Sequence, residues 1–93
     1  MDTKALMERY KQYIFPAAAP LYGDDPLVVD RAKDQYVWDV NGKRYLDFFG
    51  GVLTVSIGHA NDEVTAATVE QMHKLQHTTT LYVNPVMVDV AEK

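Results

Sequence analysis

Apolar residues recur along this chain in two rhythms. Leu6, Met7, Tyr10, Tyr13 and Ile14 return at helical spacing over residues 3–14, with Asp2 or Thr3 placed to cap the free amides, so an amphipathic first helix is expected. Pro16, Pro20 and Pro26, with Gly23 among them, then break the pattern and make residues 15–26 an irregular linker. Strand-forming residues dominate the next stretches, 27–32, 35–39 and, after Asn41-Gly42, 45–49, which read as a three-stranded antiparallel meander. The helical rhythm returns with Val64, Thr68, Met72 and Leu75. Asn61 offers a cap, Asp62 and Glu63 suit the positive end of the helix, and His73, Lys74 and His77 suit the other. Asn84-Pro85 reads as the cap and first position of a last helix whose apolar stripe begins with Met87, Val90 and Ala91.

Two places leave the pattern undecided. A two-residue loop at Asn41-Gly42 would pair Asp39 with Arg44 and Trp38 with Tyr45. A type I turn from Asp39, closed by Gly42 as a bulge, would instead pair Asp39 with Lys43. The second place is residues 50–59, GGVLTVSIGH, almost entirely apolar and bracketed by glycines. Such a run ordinarily forms a buried strand, with Ser56 as one of its residues. A glycine pair, however, also lets the backbone approach a ligand or another chain closely, because no β-carbon intervenes.

The last helical pattern reaches Lys93 without a Gly or Asn stop signal, so an N-terminal portion of a larger protein is expected. The stripe on the first helix, the run at residues 50–57 and the Met87, Val90, Ala91 face exceed what a small sheet and two helices can bury. Some of this surface is expected to face a partner.

Composition narrows the classes. The 93 residues are 47% hydrophobic and 24% charged, ordinary for one small globular unit. Nine basic against thirteen acidic residues give a net charge of −4 with no basic cluster, which argues against nucleic acid as a partner. No apolar run approaches the roughly 20 residues of a membrane span, and the N-terminus lacks a basic-then-apolar signal pattern. No membrane association and a cytoplasmic location are therefore expected. With no cysteine, disulfides and thiolate metal sites are excluded.

Candidate chemistry within the chain is sparse. His73 and His77 are four apart, but no third ligand is spaced to join them. His59 reads as a loop histidine bonded to backbone at the corner before the helix. Thr78, Thr79 and Thr80 read as hydroxyls that satisfy helix-end carbonyls. No Gly-x-Ser-x-Gly elbow, phosphate-binding loop or dinucleotide fingerprint occurs. Composition and spacing alone lead to a small α+β piece.

The order of the blocks says more. Residues 38–48 (WDVNGKRYLDF), then Gly50-Gly51, Ile57-Gly58-His59, Glu70-Gln71 and the loop at residues 75–84 together resemble the opening of class III pyridoxal-phosphate aminotransferases. The resemblance covers about residues 20–93. Within that family, residues 49–59 with the run at 77–80 and Ala91-Glu92-Lys93 look most like the alanine–glyoxylate aminotransferase 2 branch. After His59, Ala60-Asn61-Asp62 stands where relatives commonly carry a Cys-His-Pro-like stretch, a departure that bears on the branch.

The resemblance implies an α+β piece of a fold type I transferase: an N-terminal helix and linker at residues 1–26, and an incomplete small-domain segment at 27–93. It implies a substrate pocket at a homodimer interface. Gly51, Val52 and Leu53 would line that pocket, and Leu81 and Tyr82 would contribute to its mouth. The implied cofactor is pyridoxal 5'-phosphate, and the implied partners are a small amino donor and a keto acid acceptor, such as alanine and glyoxylate. No catalytic or cofactor-binding residue carries over. The phosphate cup, the ring-stacking aromatic, the aspartate at the ring nitrogen and the cofactor-binding lysine match positions downstream, and none of Lys4, Lys11, Lys33, Lys43, Lys74 and Lys93 stands in that lysine's context. Two alternatives remain open, another class III reaction such as a phospho-lyase or aminomutase, and a non-catalytic association module.

Overall fold

The computed structural model describes residues 1–18, 20, 23 and 25–93, arranged as two compact units, Met1–Asn61 and Asp62–Lys93. Residues 19, 21, 22 and 24 of the expected linker lie outside the described residues.

In the first unit, helix α1 spans Thr3–Tyr13 and starts where Asp2 caps it, its carboxylate accepting from the N–H groups of Lys4 at 3.0 Å and Ala5 at 3.4 Å. Strands β1 (Val29–Lys33), β2 (Tyr36–Asp39) and β3 (Arg44–Leu46) form the expected antiparallel meander in the order β1-β2-β3. The strand ends differ from expectation. The first hairpin turns at Asp34-Gln35, with Asp34 in the left-handed region at φ 51°, so β1 starts later and runs one residue further than residues 27–32. A bulge at Asp30 separates the pairs Val29 with Asp39 and Arg31 with Trp38.

The second hairpin settles the register. Trp38 lies opposite Arg44 and Val37 opposite Tyr45, which excludes the two-residue loop. The Asp39 N–H donates to the Lys43 carbonyl at 3.0 Å, and the Gly42 N–H donates to the Asp39 carbonyl at 2.9 Å, with Gly42 at φ 84°. This is the turn closed by a glycine bulge. Asp39 reinforces it, one carboxylate oxygen accepting from the N–H groups of Asn41 and Lys43, both at 2.9 Å, and the other from the Tyr45 hydroxyl at 3.0 Å. Burial pushes the Asp39 carboxyl up, but these bonds and the Lys43 charge outweigh it and hold its pKa below the usual value.

Alternation along β2 divides the sheet into two faces. Val37, at 8% exposure the one buried apolar residue among those described, faces the same way as its cross-strand partners Ala32 and Tyr45. On the other face the Arg31 guanidinium lies 3.9 Å from the Trp38 ring centre and that of Arg44 lies 4.5 Å from Tyr36. Each guanidinium thus lies over an aromatic ring, a cation–π placement of the charge itself.

Two expectations fail directly after the sheet. The third strand ends at Leu46 rather than continuing to residue 49, because the Asp47 side chain takes the N–H groups of Phe49 and Gly50 that a further ladder would need. Residues 50–57 form no strand but a series of turns, and Ser56 lies among them.

The second unit holds α2 (Asp62–Lys74) and α3 (Pro85–Glu92). Asn84 caps α3 as expected, its side-chain oxygen accepting from the Met87 N–H at 3.0 Å, with Pro85 at the first helical position. Val64 and Met72 on α2, Leu75 directly after it, and Met87 and Val90 on α3 are exposed.

Candidate functional site

The turn that carries Gly51, Val52 and Leu53 is shaped by backbone conformation, not by burial. Gly50, Gly51 and Leu53 all have positive φ, at 61°, 77° and 54°, and three such residues within four positions fold the chain back repeatedly. A β-carbon on Gly51 would run into the Thr54 side chain, and one on Gly50 would come within 3.1 Å of Val55 Cγ2. What approaches these glycines closely in this structure is thus their own loop. The same folding puts the side chains of Val52 and Leu53 outward, 81% and 96% exposed. For a leucine the left-handed region costs about 1–2 kcal/mol relative to the ordinary one, so an exposed side chain is being held at some cost.

The base of this loop is tied by one carboxylate. Asp47 Oδ1 accepts from the N–H groups of Phe49 and Gly50, both at 2.9 Å, and Oδ2 lies 2.6 Å from His59 Nε2. The His59 ring bond, with the N–H groups of Gly50 and Phe49 adding to it, holds the Asp47 pKa below the usual value against a smaller opposing effect of burial. The backbone of His59 pairs with that of Asp34 in both directions, at 2.8 and 2.9 Å. Gly58 makes room for this pair, since a β-carbon there would come within 3.2 Å of the Asp34 backbone. His59 is therefore the loop histidine expected, and its main chain bonds to backbone, but its ring engages a carboxylate twelve residues earlier. Asp47, Asp34 and His59 with Gly50 and Val55 line a shallow concavity of ≈ 330 Å³.

Leu81 and Tyr82 sit in a separate turn of the second unit, both exposed. Thr79, at φ 56°, accepts from the Leu81 N–H through its hydroxyl at 3.0 Å, and Asn84 Nδ2 donates to the Thr78 hydroxyl at 3.3 Å. These threonines shape their own turn instead of satisfying helix-end carbonyls. That task falls to glutamines, Gln71 donating to the Leu75 carbonyl at 2.8 Å and Gln76 to the Met72 carbonyl at 3.4 Å. So the five expected pocket residues fall into two turns, one in each unit. Asp47 and His59 complete the first, and the Asp-x-x-Gly spacing of an Asx turn was their only local signal.

Among the described residues no group of three His, Cys, Asp or Glu is placed to hold a metal ion. Lys33 Nζ donates to the Ala60 carbonyl at 2.8 Å, and Lys43 Nζ lies 4.9 Å from the Tyr45 ring centre. Both lysines are engaged by their own loop and sheet, and the Gly50 N–H is held by Asp47. These residues do not form a cofactor cup.

Residues 18–93 match the class III aminotransferase family, well over half of the chain. The chain belongs to the class III aminotransferases. It is 36% identical over 88 residues to mitochondrial alanine–glyoxylate aminotransferase 2 of Homo sapiens, covering 95% of this chain and 17% of that protein. To the acetylornithine aminotransferase of Archaeoglobus fulgidus it is 42% identical over 87 residues, covering 94% of this chain and 22% of that one. Among solved structures it resembles the ornithine aminotransferase of Toxoplasma gondii, a structure with partial occupancy of pyridoxal phosphate at its active site. The TM-score is 0.74 at 33% identity, over 85% of this chain and 17% of that one. The helix, three-stranded antiparallel sheet and following helices are the N-terminal arrangement of a fold type I transferase. Relatives of several branches match about equally, so the class III segment is not tied to the alanine–glyoxylate branch in particular. The chain spans about a fifth or less of the length of these relatives.

Proposed function

We propose that this segment is the N-terminal part of a pyridoxal-phosphate-dependent aminotransferase that moves an amino group between an amino acid or amine and a keto acid, with alanine and glyoxylate as one candidate pair. Pyridoxal phosphate, held by residues outside this chain, would supply an electron sink for that chemistry. The segment's own contribution is recognition. Val52 and Leu53 line the substrate pocket of a homodimer and set which side chain fits, while Gly51 gives their turn its shape.

The observation that carries this reading is the state of Val52 and Leu53: two aliphatic side chains held out of the sheet on a strained turn whose base is tied by Asp47. A turn that existed only to join two elements would have no need to hold a leucine in a left-handed conformation.

The test uses the full-length protein with pyridoxal phosphate. With alanine and glyoxylate, pyruvate and glycine should appear in equal amounts; acetylornithine, ornithine and 4-aminobutyrate with a keto acid test the other branches. Release of ammonia without a new amino acid would identify a lyase instead. Absence of any amino transfer would overturn the reading.

A further inference from the structure

The loop between Asp47 and His59 raises a question that its proposed role leaves unanswered, namely what fixes its outward turn in one place. Burial does not, because Val52 and Leu53 are exposed and Phe48, Phe49 and Ile57 are exposed as well. A backbone ladder does not, because residues 50–57 form turns, with the Gly58 N–H donating to the Val55 carbonyl at 2.9 Å. Fixed geometry must then come from the ends.

Both ends meet at a single side chain. At the entry, Asp47 Oδ1 holds the Phe49 and Gly50 N–H groups, and the Asp47 N–H donates to the Gln35 carbonyl at 2.9 Å, which anchors the carboxylate's own backbone to the first hairpin. At the exit, the His59 ring meets Asp47 Oδ2 at 2.6 Å, and the His59 backbone is paired with Asp34, the other residue of that hairpin turn. The side chains of Asp47 and His59 are 16% and 21% exposed, well shielded for a structure with so little buried surface. Charge-assisted bonds in a shielded site are stronger than neutral ones and fix direction as well as distance.

We propose that the Asp47–His59 pair is a positioning device for substrate choice: by locking the two ends of the loop to one hairpin, it sets where Val52 and Leu53 stand in the pocket. Neither residue touches the substrate in this arrangement. Asp47 orders the Gly50-Gly51 backbone directly, and His59 holds Asp47 in the rotamer that does so. The inference rests on the proposed pocket role of Val52 and Leu53, and the experiment separates the two.

In the full-length holoenzyme, His59→Ala should raise KM for the preferred amino donor about tenfold and blunt discrimination between small and bulky donors, with kcat changed much less, since a small misplacement of positioning groups is sufficient for such losses. His59→Gln places an amide nitrogen near the position of Nε2 and should restore the profile to within about threefold, whereas the shorter His59→Asn should not. If His59→Ala fails to fold, the Gln and Asn variants carry the same comparison. Amide exchange at Phe49 and Gly50 reports the lock itself. Faster exchange in His59→Asn with an unchanged donor profile would overturn the inference, as would His59→Gln behaving like His59→Asn. A Val52→Trp variant with an unaltered profile would instead overturn the pocket reading, while exchange at Phe49 and Gly50 would still show whether the lock exists.

Discussion

The sheet and the loop that follows it are built from similar residues and reach opposite states. Val37 in β2 is buried, while Val52, fifteen positions later in an equally apolar stretch, stands almost free. Hydrophobicity does not distinguish them. In the sheet, Asp34 and Gly42 place left-handed residues only at turns, so backbone N–H groups between them remain available for pairing. In the loop, Gly50, Gly51 and Leu53 place them in quick succession, and Asp47 removes two donors at the start. The sign of φ and the fate of a few N–H groups decide between strand and turn before packing acts.

The largest effect expected from breaking this contrast is at Gly51. Gly51→Val combines a left-handed β-branched residue with a collision against Thr54, and should destabilise the full-length protein by about 2–3 kcal/mol in chemical denaturation. A change under about 0.5 kcal/mol would mean that the turn is not held in this shape. Next comes the matched pair Val37→Ala and Val52→Ala. The first removes buried methyl groups and should cost about 1–2 kcal/mol, and the second should stay within about 0.5 kcal/mol of the unaltered protein. Equal losses at the two sites would show that Val52 is core.

Much of the fold was legible in the chain's pattern. The spacing of Leu6 to Ile14 and of Val64 to Leu75, with Asp2 and Asn84 in capping positions, is a local signal, and local signals survive in the structure. The β-hairpin register could be narrowed to two choices because Asp39 and Gly42 each favour a defined turn position. The apolar pattern of residues 50–57 suggests a strand where turns form, because hydrophobic pattern is blind to backbone donors already taken by a side chain. The partnership of Asp47 with His59 was not legible for a different reason: it joins residues twelve apart across turns whose geometry no spacing rule fixes. At the candidate site, Val52 and Leu53 were suggested by family resemblance alone, and their exposure required the structure.

A smaller effect concerns acid. Asp47 has a folded-state pKa below its unfolded value of about 3.9, so its contribution to stability is complete above that value and is lost as pH falls through the lower, folded one. Stability measured from pH 6 downward should therefore fall below about pH 4, and Asp47→Asn should flatten that part of the curve. Identical slopes for the two proteins would show that the carboxylate is not held by His59 and the loop amides.

The contrast between a buried Val37 and an outward Val52 matters for function only if the outward residues select substrate. The most direct measurement is kcat/KM for a small and a bulky amino donor in the full-length protein carrying Val52→Trp or Leu53→Trp, alongside thermal stability. If Val52 and Leu53 line the proposed pocket, filling it should lower the ratio of bulky to small donor about tenfold or more, with little change in stability, because neither side chain supports the core. An unchanged donor ratio accompanied by a stability loss of about 1–3 kcal/mol, the usual consequence of overpacking, would contradict the assignment and make both residues structural.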